Sequence, residues 1–209
     1  MKYVIGIDEV GRGALAGPIT VAAVAAPVNL KFKISNLKLP LRDSKKLLSH
    51  HRELWAEYIR TNFRYAVARV YPNKIDGINI TMAANLAAHR ALKKLLFNYS
   101  LQSINYSLFL DGGLYVKHKK YQMLNFPWAK TIIKGDEKIN AIKLASIVAK
   151  VARDRYMVKL HKKYPEYSFN LHKGYGTRIH RLAIKKHSHS KVHRLTFLKK
   201  STTLLTTNY

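Results

Sequence analysis

Residues 4–18 read VIGIDEVGRGALAGP, an apolar run followed by two adjacent acids and a glycine-rich turn. The apolar run predicts a buried strand. Neighbouring residues of a regular strand point to opposite faces, so Asp8 and Glu9 share a site only if the strand breaks there. Gly11 and Gly13 offer that break, because glycine tolerates the backbone angles of a tight turn. We therefore expect the first strand to break at the two acids.

Apolar strands and amphipathic helices alternate along the rest of the chain. Strands are predicted at 3–8, 19–25, 63–71, 107–113 and 129–136, and helices at 49–62, 79–98 and 139–164. This order is typical of an α/β layered structure with a helical, basic C-terminal part. The 209 residues are expected to form one domain, 1–209, in which about 165–200 are helical and bind substrate and 201–209 form a flexible tail.

The composition is strongly basic, with 38 basic and 11 acidic residues and a formal net charge of +27. Such a surface attracts polyanions, so nucleic acid is the expected partner; a generally basic protein is the alternative. No apolar stretch is long enough to span a membrane, and we do not expect the protein to bind a membrane. The absence of cysteine excludes disulfides and thiolate metal sites. With no signal region after Met1, we expect a cytoplasmic protein, and a monomer is the simplest assembly.

Four carboxylates lie at the ends of predicted strands: Asp8 and Glu9 follow YVIGI, Asp111 follows LFL and Asp136 follows TIIKG. In α/β folds, binding and active sites typically lie at the ends of strands along one edge of the sheet. Clustered carboxylates repel one another unless a cation neutralises them, and oxygen ligands favour Mg²⁺ or Mn²⁺. A pair of such ions about 4 Å apart promotes phosphodiester cleavage. The alternative is that each acid caps a helix or pairs with a lysine.

The segment GIDEVGRGALAGP resembles the N-terminal motif of the ribonuclease HII family. Further motifs follow in that family's order: DSKKL (43–47), IDGINI (75–80), LDGG (110–113), KGD (134–136), ASIVAKVARDRYM (145–157) and HKGYGT (172–177). The resemblance extends from residue 2 to about 197. It implies a ribonuclease H-like fold, with a central mixed β-sheet flanked by helices and a helical, basic C-terminal segment.

The resemblance also implies an activity. The expected enzyme is an endonuclease that hydrolyses the RNA strand of RNA–DNA hybrids and nicks duplex DNA on the 5′ side of embedded ribonucleotides. Its products carry a 3′-hydroxyl and a 5′-phosphate. The implied active site holds two divalent ions, Mg²⁺ or Mn²⁺, on four carboxylates, which correspond to Asp8, Glu9, Asp111 and Asp136.

Substrate contacts are implied for the turn and for one tyrosine. The backbone of Gly11, Arg12 and Gly13 would contact the ribose 2′-hydroxyl, and Tyr175 would pack on the neighbouring sugar. An ordinary surface tyrosine is the alternative for Tyr175. Backbone phosphates are matched to three further positions, for which a solvated lysine or a helix cap is the alternative: Ser44, Lys45 and Asn79.

Other expectations concern packing and charge. Lys143 and Leu144 replace the small residues usual before ASI, which puts Asp136 in an altered environment. Arg153 and Asp154 are expected to pair with each other. A basic face that follows the duplex is expected from Lys173, Arg178, Arg181, Lys185, Lys186, Lys191 and Arg194.

Two other functions stay open at this point. One is a non-catalytic basic nucleic-acid-binding protein with the same fold, against which the intact set of acids argues. The other is a ribonuclease HIII-like enzyme. Asp8 lies too near the start of this sequence for that family's usual N-terminal domain, and that family lacks the GRG form of the turn found here.

Overall fold

The computed structural model describes residues 3–28, 39–42, 44–102, 105–115, 126 and 128–203, with the backbone alone at 200–203. Residue 43 of the DSKKL motif and residues 204–209 of the expected tail lie outside these ranges.

Five strands form one mixed sheet: β1 (Tyr3–Val10), β2 (Ile19–Pro27), β3 (Arg64–Val70), β4 (Tyr106–Asp111) and β5 (Lys130–Ile132). Their order across the sheet is β3-β2-β1-β4-β5. The central strand β1 pairs antiparallel with β2 and parallel with β4. At the edges, β3 is antiparallel to β2 and β5 is parallel to β4. The expected mixed sheet is confirmed.

The helices are α1 (Ser49–Asn62), α2 (Pro72–Ile78), α3 (Ile80–Asn98), α4 (Gly135–Lys138), α5 (Asn140–His161), α6 (Phe169–His172), α7 (Arg178–His187) and α8 (Leu195–Thr203). Short 3₁₀ turns occupy Ser44–Lys46 and Pro165–Tyr167. None of the helices within the described ranges combines the length and apolar character that a membrane crossing requires.

Both faces of β2 are buried, which explains its unbroken apolar run. Val21 and Ala23 join the core under α3, whereas Ala22 and Val24 join the core under α1 and α5. A strand covered on both faces is apolar throughout instead of alternating. On β1, a Cβ at Gly6 would lie 2.2 Å from the carbonyl carbon of Ala141, so glycine lets α5 approach the sheet.

Most boundaries of the predicted elements lie within three residues of the observed ones, and three differences concern the site or the C-terminal part. β5 covers three residues, because the end of the predicted strand 129–136 turns into α4. β1 continues past the two acids to Val10. The last helix runs to Thr203, so the first residues of the expected tail are helical. The helical C-terminal part contacts the glycine-rich loop between β1 and β2, residues 11–18, through a β-bridge between Ala16 and His193.

Candidate active site

Three carboxylates converge where the parallel ladder of β1 and β4 ends. One oxygen each of Asp8, Glu9 and Asp111 lies within 4.8 Å of the other two. The last paired residues of β1 and β4 are Ile7 and Leu110, so Asp8 and Asp111 come directly after the paired region and Glu9 is one residue further. A cluster of carboxylate oxygens without nitrogen or sulfur donors fits a hard divalent cation such as Mg²⁺ or Mn²⁺.

The expected break of β1 at the two acids is wrong. Asp8 and Glu9 remain paired with Ala22 and Val21 of β2. The Asp8 side chain turns along the strand instead, so its Oδ1 accepts a hydrogen bond of 2.7 Å from the Glu9 N–H. These adjacent strand residues therefore contribute to one cluster while β1 stays paired with β2.

Each carboxylate of the cluster has one oxygen held by an N–H donor. Glu9 N–H donates to Asp8 Oδ1, Arg12 Nε donates to Glu9 Oε1 at 2.9 Å, and the Gly135 N–H donates to Asp111 Oδ1 at 2.7 Å. The second Glu9 oxygen, Oε2, is buried without a hydrogen-bond partner among the described residues. Ligands oriented in this way by outer hydrogen bonds are typical of metal sites.

The electrostatics of the cluster also favour a cation. Burial raises the pKa of Asp8 well above its usual range, and the charges of Glu9 and Asp111 raise it further. Burial likewise raises the pKa of Glu9, against the lowering effect of Arg12. A bound positive charge would stabilise the ionised forms of Asp8 and Glu9, which burial disfavours. The residues present therefore fit a divalent ion.

Asp136 lies beside the cluster and, in the described part of the chain, outside it. Its Oδ2 is 3.2 Å from Lys45 Nζ, and its side chain is 7% exposed. Its backbone N–H lies 3.4 Å from Asp111 Oδ1. The lysine pairing that the sequence left open as an alternative is thus the contact Asp136 makes here.

The glycine-rich turn closes against the cluster. Gly11 has a φ of +90°, and a Cβ there would lie 2.2 Å from Arg153 Nε, so glycine is required for both conformation and space. Arg12 reaches Glu9 and also donates to the Gly113 carbonyl at 3.3 Å. A Cβ at Gly13 would meet nothing within 4 Å, so its backbone faces open space.

Tyr175 is brought to the same turn by backbone contacts. The N–H groups of Leu15 and Ala16 donate to the Gly174 carbonyl at 2.8 and 3.2 Å. The half-buried Tyr175 ring lies under the Arg153 guanidinium, whose carbon is 5.3 Å from the ring centre. The turn and Tyr175 therefore form one surface. Gly13 and Tyr175 are 162 residues apart in the sequence.

The three phosphate candidates have different surroundings. Ser44 is buried, with its Oγ 2.8 Å from Ser146 Oγ, and Ser146 also hydrogen-bonds Asp8. Lys45 contacts Asp136 as described above. Asn79 caps α3, where its side-chain oxygen accepts a hydrogen bond from the Met82 N–H at 3.0 Å. Two of the three therefore lie beside the carboxylates, and the third makes the helix cap left open as its alternative.

Two arginines have surroundings that the sequence did not indicate. The expected pair of Arg153 with Asp154 is wrong, because Asp154 contacts Lys150 at 2.8 Å. Arg153 and Arg194 are both 0% exposed, so Arg194 does not belong to the basic surface either. The only sequence signal was the position of Arg153 four residues before Met157 on the buried side of α5. The remaining residues of the expected basic face are exposed or half-buried: Lys173, Arg178, Arg181, Lys185, Lys186 and Lys191.

Comparison with known proteins identifies relatives along nearly the whole chain. The family model described as Ribonuclease HII matches residues 5–200. The Ribonuclease HII of Fusobacterium nucleatum is 46% identical over 201 residues, which cover 95% of this chain and 87% of that protein. The Ribonuclease HII of Phocaeicola vulgatus is 43% identical over 193 residues, which cover 92% of this chain and 87% of that protein.

Solved structures share the fold. A structure of the PCNA:RNase HII complex from Archaeoglobus fulgidus superposes with a TM-score of 0.65 at 26% identity, covering 92% of this chain and 94% of that one. The structure of Bst-RNase HIII in complex with Mn²⁺ has a TM-score of 0.76 at 21% identity and covers 97% of this chain and 70% of that one. At that identity the second likeness concerns the fold alone.

Proposed function

The chain belongs to the ribonuclease HII family of metal-dependent endoribonucleases, and we propose that it nicks duplex DNA on the 5′ side of an embedded ribonucleotide. We propose the same cleavage for the RNA strand of RNA–DNA hybrids, with 3′-hydroxyl and 5′-phosphate products. The observation that carries the proposal is the cluster of Asp8, Glu9 and Asp111, whose oxygens lie within 4.8 Å of one another beside the Gly11–Gly13 turn.

The proposed metal ligands are the three clustered carboxylates together with Asp136. Two divalent ions held there would supply an activated water and stabilise the departing 3′-oxygen. The N–H donors of Glu9, Arg12 and Gly135 orient one oxygen of each clustered acid before any ion binds. Such preorganisation lowers the reorganisation needed when substrate and ions arrive.

Ribose selection requires contacts other than charge. Phosphate contacts position a protein on a duplex, whereas the 2′-hydroxyl is what distinguishes RNA from DNA at one site. The open space around Gly13 supports a close backbone approach to that hydroxyl. The Tyr175 ring, next to the same turn, supplies an apolar face for the following deoxyribose. Recognition of the ribose and cleavage would then take place at the same phosphate.

The duplex is proposed to extend from the turn over the basic C-terminal part. Arg178, Lys185, Lys186 and Lys191 are exposed there, close in the chain to Tyr175. Their charges would neutralise backbone phosphates irrespective of sequence. Ser44 and Lys45, beside Ser146 and Asp136, would contact a phosphate near the reacting one.

Cleavage of three labelled duplexes tests the proposal. One is all DNA, one contains a single ribonucleotide and one is an RNA–DNA hybrid, each incubated with Mg²⁺ or Mn²⁺ and again with a chelator. We expect a nick 5′ to the ribonucleotide that a polymerase can extend, cleavage of the hybrid, and no cleavage of the DNA or of any duplex under chelation. Binding without cleavage with both ions, or equal cleavage of the all-DNA duplex, would overturn the proposal.

A further inference from the structure

Two buried arginines donate hydrogen bonds to the glycine-rich loop, residues 11–18, which follows the carboxylates of β1. Arg153, on α5, donates to the carbonyls of Ala16 at 3.2 Å and Pro18 at 3.1 Å. Arg194, directly before α8, donates to the carbonyls of Arg12 at 2.9 Å and Gly17 at 3.0 Å. The two guanidinium groups therefore hold four carbonyls of the glycine-rich loop, including that of Arg12 in the turn itself.

This arrangement places two guanidinium groups in the interior, both 0% exposed. No carboxylate of the described residues forms an ion pair with either guanidinium. Burial, together with the neighbouring charge of Arg153, lowers the pKa of Arg194 to about 9. Arg153 Nη1 and Arg194 Nη2 are also buried without an acceptor among the described residues. Because unpaired buried charge and unsatisfied donors are destabilising, stability alone does not account for the pair.

Arg153 contacts both of the elements proposed to contact the ribonucleotide. A Cβ at Gly11 would lie 2.2 Å from its Nε, which places its guanidinium directly against the turn. The same group lies over the Tyr175 ring at 5.3 Å. Only a planar, multidentate cation can donate to two carbonyls and stack on an aromatic ring at once. One side chain thus sets the separation between the turn and the tyrosine.

We propose that Arg153 is a positioning residue for ribonucleotide selection: by holding the Gly11–Gly13 turn and Tyr175 at a fixed separation, it determines the preference for a ribose followed by a deoxyribose. Arg194 supports the same loop from the C-terminal part. The inference rests on the proposed function, because it requires that the turn and Tyr175 contact adjacent sugars. It assigns Arg153 no contact with substrate or metal.

The test is a ratio of two specificity constants. For each variant, kcat/KM is measured on the duplex with one ribonucleotide and on the uniform RNA–DNA hybrid. Because both values scale with the concentration of folded enzyme, their ratio does not depend on how much of a variant folds. The variants are Arg153→Lys, Arg153→Met and Tyr175→Ala. Arg155→Met is the matched control, since Arg155 lies on the same helix but pairs with Glu53 at the surface.

We expect both Arg153 variants to lower the ratio of single-ribonucleotide to hybrid cleavage by about 10- to 100-fold, as for a misplacement near 1 Å. The lysine variant fails to rescue because it keeps the charge but not the planar fork. Mn²⁺ affinity, measured by calorimetry, stays at the wild-type value, since Arg153 forms no ion pair with the clustered carboxylates Asp8, Glu9 and Asp111. In the Tyr175→Ala background, Arg153→Met lowers the ratio no further, and Arg155→Met leaves it unchanged.

Three outcomes would overturn the inference. If Tyr175→Ala lowers the ratio but Arg153→Met does not, the proposed function stands and the positioning role fails. If Arg153→Met lowers both constants equally, its role is structural. If the wild-type enzyme nicks the duplex but Tyr175→Ala leaves the ratio unchanged, the proposed ribose selection fails and the positioning role fails with it.

Discussion

Lys45 and Asp136 form an ion pair next to the three clustered carboxylates, with Nζ 3.2 Å from Oδ2. The lysine side chain is 79% exposed, whereas the aspartate side chain is 7% exposed, so a surface cation covers a buried acid. Lys45 therefore partly balances the charge of the fourth carboxylate. Asp136 thus pairs with a lysine, whereas the other three acids cluster together, although all four follow strands in the sequence.

Removing that lysine should strengthen divalent-ion binding through Asp136. We expect Lys45→Met to raise Mn²⁺ affinity by up to about fivefold, the range of an exposed ion pair. In the Asp136→Asn background the same change should have no effect, because the competing partner is gone. Calorimetric titration without nucleic acid measures both values. Equal effects of Lys45→Met in the two backgrounds would mean that the lysine acts on the site by general charge alone.

Asp8→Asn should abolish cleavage while stabilising the metal-free protein. Loss of a central ligand is expected to lower kcat by roughly 10³-fold or more, since a bound metal supplies several kcal/mol of transition-state stabilisation. The melting temperature of the metal-free protein should rise at pH 7, because the ionised form of Asp8 is disfavoured by burial, Glu9 and Asp111. Asp154→Asn, which removes a carboxylate paired with Lys150, is the control. Substantial nicking by Asp8→Asn would exclude Asp8 as a ligand.

Alanine at the two turn glycines should separate folding from substrate contact. Gly11→Ala is expected to destabilise the protein by about 1–3 kcal/mol, because the residue has positive φ and its Cβ would collide with Arg153. Gly13→Ala should leave stability unchanged, since its Cβ would meet nothing within 4 Å. It should nevertheless reduce nicking, because the methyl group would lie between the backbone and the ribose. Chemical denaturation and the nicking assay check the two effects, and wild-type nicking by Gly13→Ala would contradict the proposed contact.

The basic surface predicts a strong salt dependence of duplex binding. Replacing Lys185 and Lys186 of α7 by glutamine should reduce the slope of log affinity against log salt by about two, roughly one for each phosphate that is no longer neutralised. The adjacent exposed lysines of α3, Lys93 and Lys94, provide a control with the same change in net charge. Fluorescence anisotropy between about 50 and 200 mM salt, conditions chosen to span the expected change, measures the slopes. Equal slopes for the two double variants would mean that the contacts are spread over the whole surface.

Two buried histidines behind Tyr175 should make the protein sensitive to acid. The Ser190 N–H donates to His193 Nδ1, so His193 Nε2 donates to His180 Nε2 at 3.1 Å. His180 Nδ1 then donates to the Tyr175 carbonyl at 2.9 Å. Burial lowers the pKa of both histidines to about 4. This chain of donors requires both rings to be neutral.

The sign of the pH effect follows from that lowered pKa. The unfolded histidine takes up a proton near pH 6.5, whereas the folded one resists protonation down to about pH 4. Stability is therefore complete above pH 6.5 and declines as the pH falls towards 4, by roughly 3 kcal/mol for one such group. His180→Gln should reduce this decline in denaturation experiments, and His50→Gln, at an exposed position, should retain it. The same decline in both variants would assign the acid sensitivity to other groups.

The local patterns of the chain predicted much of the fold. The run ITVAAVAA was foreseeable because a short unbroken apolar run is typical of a strand buried on both faces, and the helix at 49–62 because its apolar residues recur at helical spacing. Strand-end acids beside glycines likewise indicated the site of Asp8, Glu9 and Asp111. Such features depend on neighbours in sequence, so the sequence alone was sufficient.

The tertiary structure alone decided how those residues share the site. β1 continues through Asp8 and Glu9, and their side chains still reach one cluster without a break in the strand. Arg153 and Arg194 are buried because carbonyls far away in the chain accept their hydrogen bonds, which no periodic pattern encodes. The sequence by itself determined which elements form and which acids end them. Only long-range contacts decided which charges are buried and what they hold, since those depend on partners that folding brings together.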